Sequence, residues 1–82
     1  MKLRVEWSHV CVADVRRMRW EIAARVCKAV VNLSGGGPVR AERVRRGDPW
    51  LIRVRALGGA ALVRVDFEER TLFVWRIYTT AR

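Results

Sequence analysis

The sequence predicts an α+β fold with element order β-α-α-β-β-β, in which two N-terminal helices pack on one face of a twisted antiparallel sheet. Apolar and polar residues alternate over residues 2–7 and again over 50–79, as in strands with one buried face. Between these segments, apolar residues recur every three to four positions, as on a helix. The chain has 82 residues, which predicts a single domain over residues 1–82.

The N-terminal third predicts one strand followed by two helices. Residues 2–7, KLRVEW, alternate apolar with charged side chains and predict a half-buried strand. Ser8 is suited to cap the first helix, because its hydroxyl can accept a hydrogen bond from an amide of the first turn. A second helical pattern begins near Trp20, and SGGGP at 34–38 ends it. The apolar stripe of that helix comprises Ile22, Val26, Ala29, Val30 and Leu33.

The C-terminal half predicts three longer strands at 50–57, 60–67 and 71–79. Gly58-Gly59 supplies a tight hairpin, and a charged turn follows the second of these strands. The basic segment before them is expected to hold a short edge strand near Val39–Val44. Alternation predicts that the helix-covered face of the sheet carries Ile52, Val54, Ala61, Val63, Val65, Phe67, Phe73, Trp75 and Ile77.

Charge is the most informative bulk property. The chain contains 17 Lys and Arg against 8 Asp and Glu, which gives a formal net charge of +9. On the predicted sheet, the face away from the helices carries Arg53, Arg55, Arg64 and Arg76. Like charges on one face repel each other, so the pattern favours a surface that binds an anion, with a solvated face as the alternative. A nucleic acid or an acidic protein would neutralise this charge.

Cysteine usage and hydropathy exclude several classes of site. Cys11, Cys27 and the single histidine, His9, lack the spacing of zinc ligands, so we expect neither a metal nor a cofactor. Both cysteines fall on apolar helical positions, which predicts free structural thiols and a reducing cytoplasm. No apolar run approaches the roughly 18–20 residues of a membrane helix, and charges interrupt the N-terminal residues, so neither a membrane span nor a secretory signal is expected.

Three segments cover nearly the whole chain and carry a family resemblance: RVEWSHVCVADVRRMRWEIAARV, RRGDPWLIRVRALGG and LVRVDFEERTLFVWRI. In this order they resemble the RelE/ParE superfamily of toxins from type II toxin–antitoxin modules. The resemblance implies the same fold as the one predicted above. It also implies an acidic antitoxin as partner, ribosome-bound mRNA as target, and contact with operator DNA only through the antitoxin.

Members of the RelE branch are endoribonucleases that cut mRNA in the ribosomal decoding site without a metal. Arginine can stabilise the charge of the phosphorane transition state, and tyrosine can move protons. Carried over by the resemblance, the RNA-binding candidates are Arg45, Arg46, Arg53 and Arg55. The catalytic candidates are Arg64, Arg76, Tyr78 and Arg82.

Two positions depart from the family pattern. The family commonly has Tyr-Arg after the hairpin glycine, where this chain has Gly59-Ala60, and Thr80 falls where another arginine is expected. Losing one such charge-stabilising group typically costs about 10²–10³ in rate. The resemblance therefore implies a poor nuclease that still binds RNA.

Three alternatives remain open at the level of sequence. One is a toxin directed at DNA gyrase, which lacks the catalytic set, and another is an inert homologue that only binds an antitoxin. The third is a generic single-strand RNA binder, which requires aromatic side chains exposed on the sheet. Most aromatic residues are predicted to face the core, with Trp50 and Tyr78 as the exceptions.

Overall fold

The computed structural model describes residues 2–45 and 47–80. Its elements are β1 (Arg4–Trp7), α1 (His9–Arg17), α2 (Trp20–Ser34), β2 (Arg40–Arg45), β3 (Asp48–Ala56), β4 (Gly59–Asp66) and β5 (Thr71–Thr79). The strands form one five-stranded sheet in the order β1-β5-β4-β3-β2, and both helices pack on one face of it. The predicted α+β fold class is confirmed, and β2 is the predicted edge strand.

The sheet is mixed rather than purely antiparallel. β1 pairs with β5 in parallel, with Arg4 opposite Thr71 and Trp7 opposite Val74. All other neighbouring strands are antiparallel. Alternation predicts the faces of a strand but carries no information about its direction, so the orientation of β1 was not accessible from the sequence.

The helix boundaries follow the predicted capping signals. The Ser8 hydroxyl accepts a hydrogen bond from the Cys11 amide at 3.0 Å and donates one to the Trp75 carbonyl at 2.7 Å, which ties the start of α1 to β5. α2 ends at Ser34, and Gly35 caps it. Within the described residues, neither helix is long and apolar enough to cross a bilayer.

The core lies between the helices and the sheet. Its buried residues include Cys11, Val26, Val30, Val54, Ala61, Val63, Val65, Leu72, Val74 and Ile77. Cys11 and Cys27 are free thiols, as predicted, and burial raises the pKa of the half-buried Cys27 thiol. The predicted burial of Val54, Val63 and Val65 is confirmed.

The prediction is wrong for three aromatic residues. Trp75 is 45% exposed and Phe67 is 46% exposed, while Phe73 is partly exposed on the face away from the helices. A β-bulge explains the error in β5, because Leu62 pairs with Arg76 whereas Val63 pairs with Val74, leaving Trp75 as an extra residue. One inserted residue reverses the faces of the preceding positions, so Leu72 and Val74 enter the core instead.

The hairpin between β3 and β4 packs tightly against α2. Gly58 has φ of +88°, a conformation that favours glycine. At Gly59, a Cβ atom would lie 2.8 Å from methyl groups of both Ile22 and Val26. Glycine therefore serves the turn at one position and the close approach of the helix at the next.

Candidate functional site

The face of the sheet opposite the helices, here called the outer face, brings three predicted site residues together near the β3–β4 hairpin. Arg53 on β3 reaches across β4, and its Nε donates a hydrogen bond to the Tyr78 hydroxyl on β5 at 2.8 Å. Arg55 lies two residues further along β3, on the same face and opposite Ala60. Two guanidinium groups and a phenol therefore meet at one end of the outer face.

Glu42 on the edge strand β2 joins both arginines. Its Oε1 accepts a hydrogen bond from Arg55 Nε at 2.6 Å and lies 3.4 Å from Arg53 Nη1. The hydrogen bond from Arg55 is the main cause that lowers the pKa of Glu42, so this carboxyl group is ionised at neutral pH. The sequence analysis did not assign Glu42, and the signal it overlooked was an acid at the alternating position between the arginines of RAERVR.

Arg40 adds a third guanidinium to this end of the face. In the register of β2 and β3, Arg40 lies directly opposite Arg55. Both arginines line a surface cavity of about 410 Å³, together with Ala56, Leu57 and Thr80. The basic site is defined hereafter as Arg40, Glu42, Arg53, Arg55 and Tyr78, which carries three positive charges and one negative charge.

The two residues that depart from the family pattern border the basic site. Thr80 lines the cavity, and its amide donates to the Gly58 carbonyl at 3.0 Å. Ala60 lies between Arg55 and Tyr78 in the sheet and is fully buried. Because Ala60 has no exposed surface and lies between Arg55 and Tyr78, a longer side chain at this position would have to displace neighbouring groups of the site.

Arg64 lies apart from the basic site. It is opposite Leu51 and Phe73, four residues along β4 from Ala60, which corresponds to about 13 Å. Its Nη2 forms an ion pair with Asp48 Oδ2 at 2.7 Å, and this hydrogen bond lowers the pKa of Asp48.

Arg76 is held by α1. Its Nε and Nη2 donate to the two carboxylate oxygens of Asp14 at 2.9 and 3.0 Å. Asp14 also accepts a hydrogen bond from the Ile77 amide at 3.1 Å. The Arg76 hydrogen bond lowers the pKa of Asp14, and the contact attaches α1 to the edge of β5.

Of the remaining predicted residues, the structure describes only Arg45, which does not join the basic site. Arg45 lies at the opposite end of β2 from Arg40 and lines a cavity of about 520 Å³ with Arg43, Val44, Gly47 and Pro49. Arg46 and Arg82 lie outside the described residues. The four strand arginines also do not form an unbalanced positive cluster, because acidic side chains contact each of them.

The far end of the outer face carries aromatic side chains together with charged residues of both signs. Trp50 packs edge-on against Phe67 with ring centroids 4.8 Å apart, and Phe73 packs edge-on against Trp75 at 5.9 Å. A surface depression beside the second pair is lined by the acids Glu6, Asp66 and Glu69 and by two arginines, Arg4 and Arg64. Exposed aromatic residues thus exist, contrary to expectation, but the three carboxylates outnumber the two arginines and weaken the attraction of this region for the phosphates of a nucleic acid.

The basic site combines the groups needed to cleave a phosphodiester. Glu42 can accept a proton and Tyr78 can donate one, since its hydroxyl oxygen already accepts from Arg53. Arg55 uses Nε to bind Glu42, and within the described residues its terminal nitrogens have no recorded hydrogen bond. These nitrogens can therefore form a forked contact with a phosphate.

Comparison with solved structures identifies the fold. One chain of the RelBE2 toxin–antitoxin complex from Mycobacterium tuberculosis matches with a TM-score of 0.80 and 23% identity, over 98% of this chain and 100% of that one. A metal-bound toxin from Helicobacter pylori matches with a TM-score of 0.72 and 17% identity, over 94% of this chain and 93% of that one. A conserved hypothetical protein from the same organism matches with a TM-score of 0.68, 17% identity and the same coverages.

The fold is therefore RelE-like, as the sequence resemblance predicts. No family model matches the chain, and no curated protein matches it at a significant level. Within residues 2–45 and 47–80, no three His, Cys, Asp or Glu side chains converge in a group that could hold a metal ion.

Proposed function

We propose that this protein is the toxin of a type II toxin–antitoxin module and that it cleaves ribosome-bound mRNA slowly through the basic site. The observation that carries the proposal is the hydrogen-bonded arrangement of Glu42, Arg53, Arg55 and Tyr78 beside a cavity on the outer face. The RelE-like fold supports the same conclusion, since a chain of a toxin–antitoxin complex shares it over its full length.

The proposed reaction is an internal transesterification. Glu42 takes the proton of a ribose 2′-OH, and the 2′-oxygen attacks the adjacent phosphorus. The bond from phosphorus to the 5′-oxygen breaks, and Tyr78 donates its proton to that leaving oxygen. The products are a 2′,3′-cyclic phosphate on one fragment and a 5′-hydroxyl on the other, with no net change in protons.

The arginines determine the rate in this scheme. Arg55 and Arg40 face the cavity and would stabilise the extra negative charge of the phosphorane. Ala60 and Thr80 supply no charge, and the low pKa of Glu42 makes it a weak base. Each missing charge-stabilising group reduces the cleavage rate by about 10²–10³, so we expect RNA affinity to be retained better than the cleavage rate.

The proposed partners follow from charge and fold. A domain with a net charge of +9 would be neutralised by an acidic antitoxin. The resemblance to the toxin family adds that operator DNA would be contacted only through that antitoxin. We propose that the toxin acts in the cytoplasm, where mRNA and ribosomes are found.

A second candidate function is a toxin that binds without catalysis, either at DNA gyrase or as an inert antitoxin-binding homologue. The observation that favours it is the position of Glu42, which contacts both Arg53 and Arg55 and so occupies part of their capacity for phosphate. The fully buried Ala60 between Arg55 and Tyr78 also favours it, because this position supplies no charged group to a phosphate.

The test is cell-free translation with the purified full chain, followed by mapping of mRNA ends. We expect inhibited protein synthesis and new mRNA ends, both reduced by Arg55→Ala and Tyr78→Phe. Arg64→Ala is the matched control, because it removes an arginine from the same face that pairs with Asp48 and makes no contact with Glu42 or Tyr78 in the described structure. Inhibition of gyrase supercoiling with intact mRNA would instead support the second candidate.

A further inference from the structure

Leu57 is an exposed apolar residue at the tip of the β3–β4 hairpin. It follows β3 directly, and 76% of the residue is exposed to solvent. Single exposed apolar residues are common on protein surfaces, but this one lines the cavity of about 410 Å³ that also contains Arg40 and Arg55. An apolar side chain and two guanidinium groups are thus presented to solvent within one cavity.

The backbone that follows Leu57 at the hairpin tip is held in place. The Gly58 carbonyl accepts a hydrogen bond from the Thr80 amide at 3.0 Å. Gly59 lies so close to α2 that a Cβ atom there would be 2.8 Å from methyl groups of the helix. Because the neighbouring backbone is fixed in this way, Leu57 is positioned for contact with a ligand before the ligand binds.

The cavity has a charged part and an apolar part. Arg40 and Arg55 supply positive charge, and none of the described residues that line the cavity is acidic. Leu57 and Ala56 supply apolar surface, and the Thr80 hydroxyl can donate or accept a hydrogen bond. The volume of about 410 Å³ lies within the range of small-ligand sites. A phosphate group and a nucleobase match the two parts.

The spacing of the two parts suits neighbouring groups of one nucleotide. Leu57 lies two residues beyond Arg55, so their Cα atoms are at most about 7 Å apart. Arg55 also holds the Glu42 carboxylate by the hydrogen bond of 2.6 Å. A nucleotide whose phosphate binds Arg55 and whose base contacts Leu57 therefore has its ribose near Glu42.

We propose that this cavity binds one nucleobase of the substrate RNA, with Leu57 packed against the face of the base and Arg40 and Arg55 on the adjoining phosphate. The inference rests on the proposed function, because it assigns a substrate contact to the same site. Contact with the base limits the motion of the attached ribose and so helps to hold its 2′-OH beside Glu42. Every base has such a face, and the Thr80 hydroxyl suits a donor or an acceptor, so the contact favours no single base strongly.

The test measures how much a base adds to the affinity of a phosphate ligand. The probes are uridine 3′,5′-bisphosphate, which carries one base between two phosphates, and the same bisphosphate with hydrogen in place of the base. Neither contains a phosphodiester that could be cleaved. Their dissociation constants are measured by NMR titration of the full chain. We expect the base to lower Kd by about tenfold, as burial of one leucine side chain allows.

Leu57→Ser should separate the base contact from the phosphate contact. It should reduce the effect of the base to less than about threefold, and it should leave Kd of the probe without a base within about twofold of the wild-type value. Val31→Ser is the matched control, because it removes an exposed apolar side chain from α2 on the other face of the sheet, and it should leave the effect of the base unchanged. Arg55→Ala should weaken the binding of both probes by similar factors.

A measurement on the wild-type chain does not depend on the stability of a variant. With carbon-13 labels in the leucine methyl groups, the ring of a bound base should shift the Leu57 resonances far more than the probe without a base does. Leu57 resonances that respond equally to the two probes at saturation would overturn the inference.

Each other result identifies a different error. If the base adds no affinity in the wild type, or if Leu57→Ser leaves its effect intact, the base lies elsewhere and the inference fails, while weaker binding by Arg55→Ala keeps the proposed function. An equal loss for both probes in Leu57→Ser means that the hairpin tip supports the phosphate contact and not a base. If neither probe binds, or if Arg55→Ala changes neither Kd, the basic site does not hold phosphate and the proposed function fails with the inference.

Discussion

Replacing Asp14 by alanine tests how α1 holds the edge of β5. β1 pairs with β5 only as far as Val74, and beyond it the Ile77 amide donates to Asp14. Without Asp14 this buried N–H loses its acceptor, which costs about 1–3 kcal/mol. The hydrogen bonds from Arg76 add to this loss, by less than a fully buried pair would, because 54% of the Arg76 side chain is exposed and solvent screens the charge.

Urea unfolding followed by tryptophan fluorescence measures this loss. With a slope of about 1 kcal/mol/M for a chain of this size, the midpoint should fall by about 1–3 M. The matched control is Glu6→Ala, which removes an acid from the exposed Arg4–Glu6 ion pair and should leave the midpoint unchanged. A loss below about 0.5 kcal/mol for Asp14→Ala would refute the reasoning.

The same contact predicts a pH dependence. The pKa of Asp14 is lowered in the folded state from its ordinary value of 3.8, chiefly by the Arg76 hydrogen bond. Its stabilising contribution is therefore complete well above pH 3.8 and is lost as the pH falls through the lower folded pKa. The difference in unfolding free energy between wild type and Asp14→Ala should narrow in acid, and a constant difference from pH 7 to pH 2 would contradict the assignment.

Three further predictions follow from the packing and the basic site. Gly59→Ala should lower the unfolding free energy by about 1–3 kcal/mol in urea melts, because the added Cβ would lie 2.8 Å from methyl groups of α2. Gly35→Ala should be nearly neutral, because the atom nearest to its added Cβ is 3.8 Å away. Glu42→Gln should slow single-turnover cleavage because it removes the proposed general base. It should also tighten RNA binding in filter assays because it removes a negative charge, and weaker binding would argue against a position of Glu42 beside the phosphate. The logarithm of the RNA association constant should fall with the logarithm of the salt concentration, with a slope of about −2. Arg55→Ala should make this slope less steep by about 0.7, and an unchanged slope would mean that RNA binds elsewhere.

The secondary structure was largely predictable because its signals are local. Ser8, the glycines after Ser34 and Gly58-Gly59 mark ends and turns through the conformations and hydrogen bonds that these residues favour. Alternation in β4 correctly placed Val63 and Val65 in the core, since only one face of that strand is strongly apolar there.

β5 was harder because both of its faces are apolar. Either Leu72 and Val74 or Phe73 and Trp75 could face the core, and the bulge at Trp75 determines that Leu72 and Val74 do so. A bulge depends on pairing with a neighbouring strand and has no mark in the strand's own sequence.

The candidate site was predictable only in part. Arg53, Arg55 and Tyr78 meet at one end of the outer face, because strand parity and hairpin pairing bring them there. Glu42 and Arg40 were missed because their strand pairs with β3 only through tertiary contacts. The ion pair that occupies Arg76 likewise depends on where α1 packs along β5.

Single-turnover cleavage of an mRNA bound to purified ribosomes tests the central claim most directly. After incubation with the full chain, we expect slow appearance of fragments that end in a 2′,3′-cyclic phosphate at the decoding site. Tyr78→Phe and Glu42→Gln should slow their appearance, and Arg64→Ala should leave it unchanged. Intact mRNA at a stoichiometric concentration of the chain, or cleavage that proceeds equally fast in both site variants, would contradict the account.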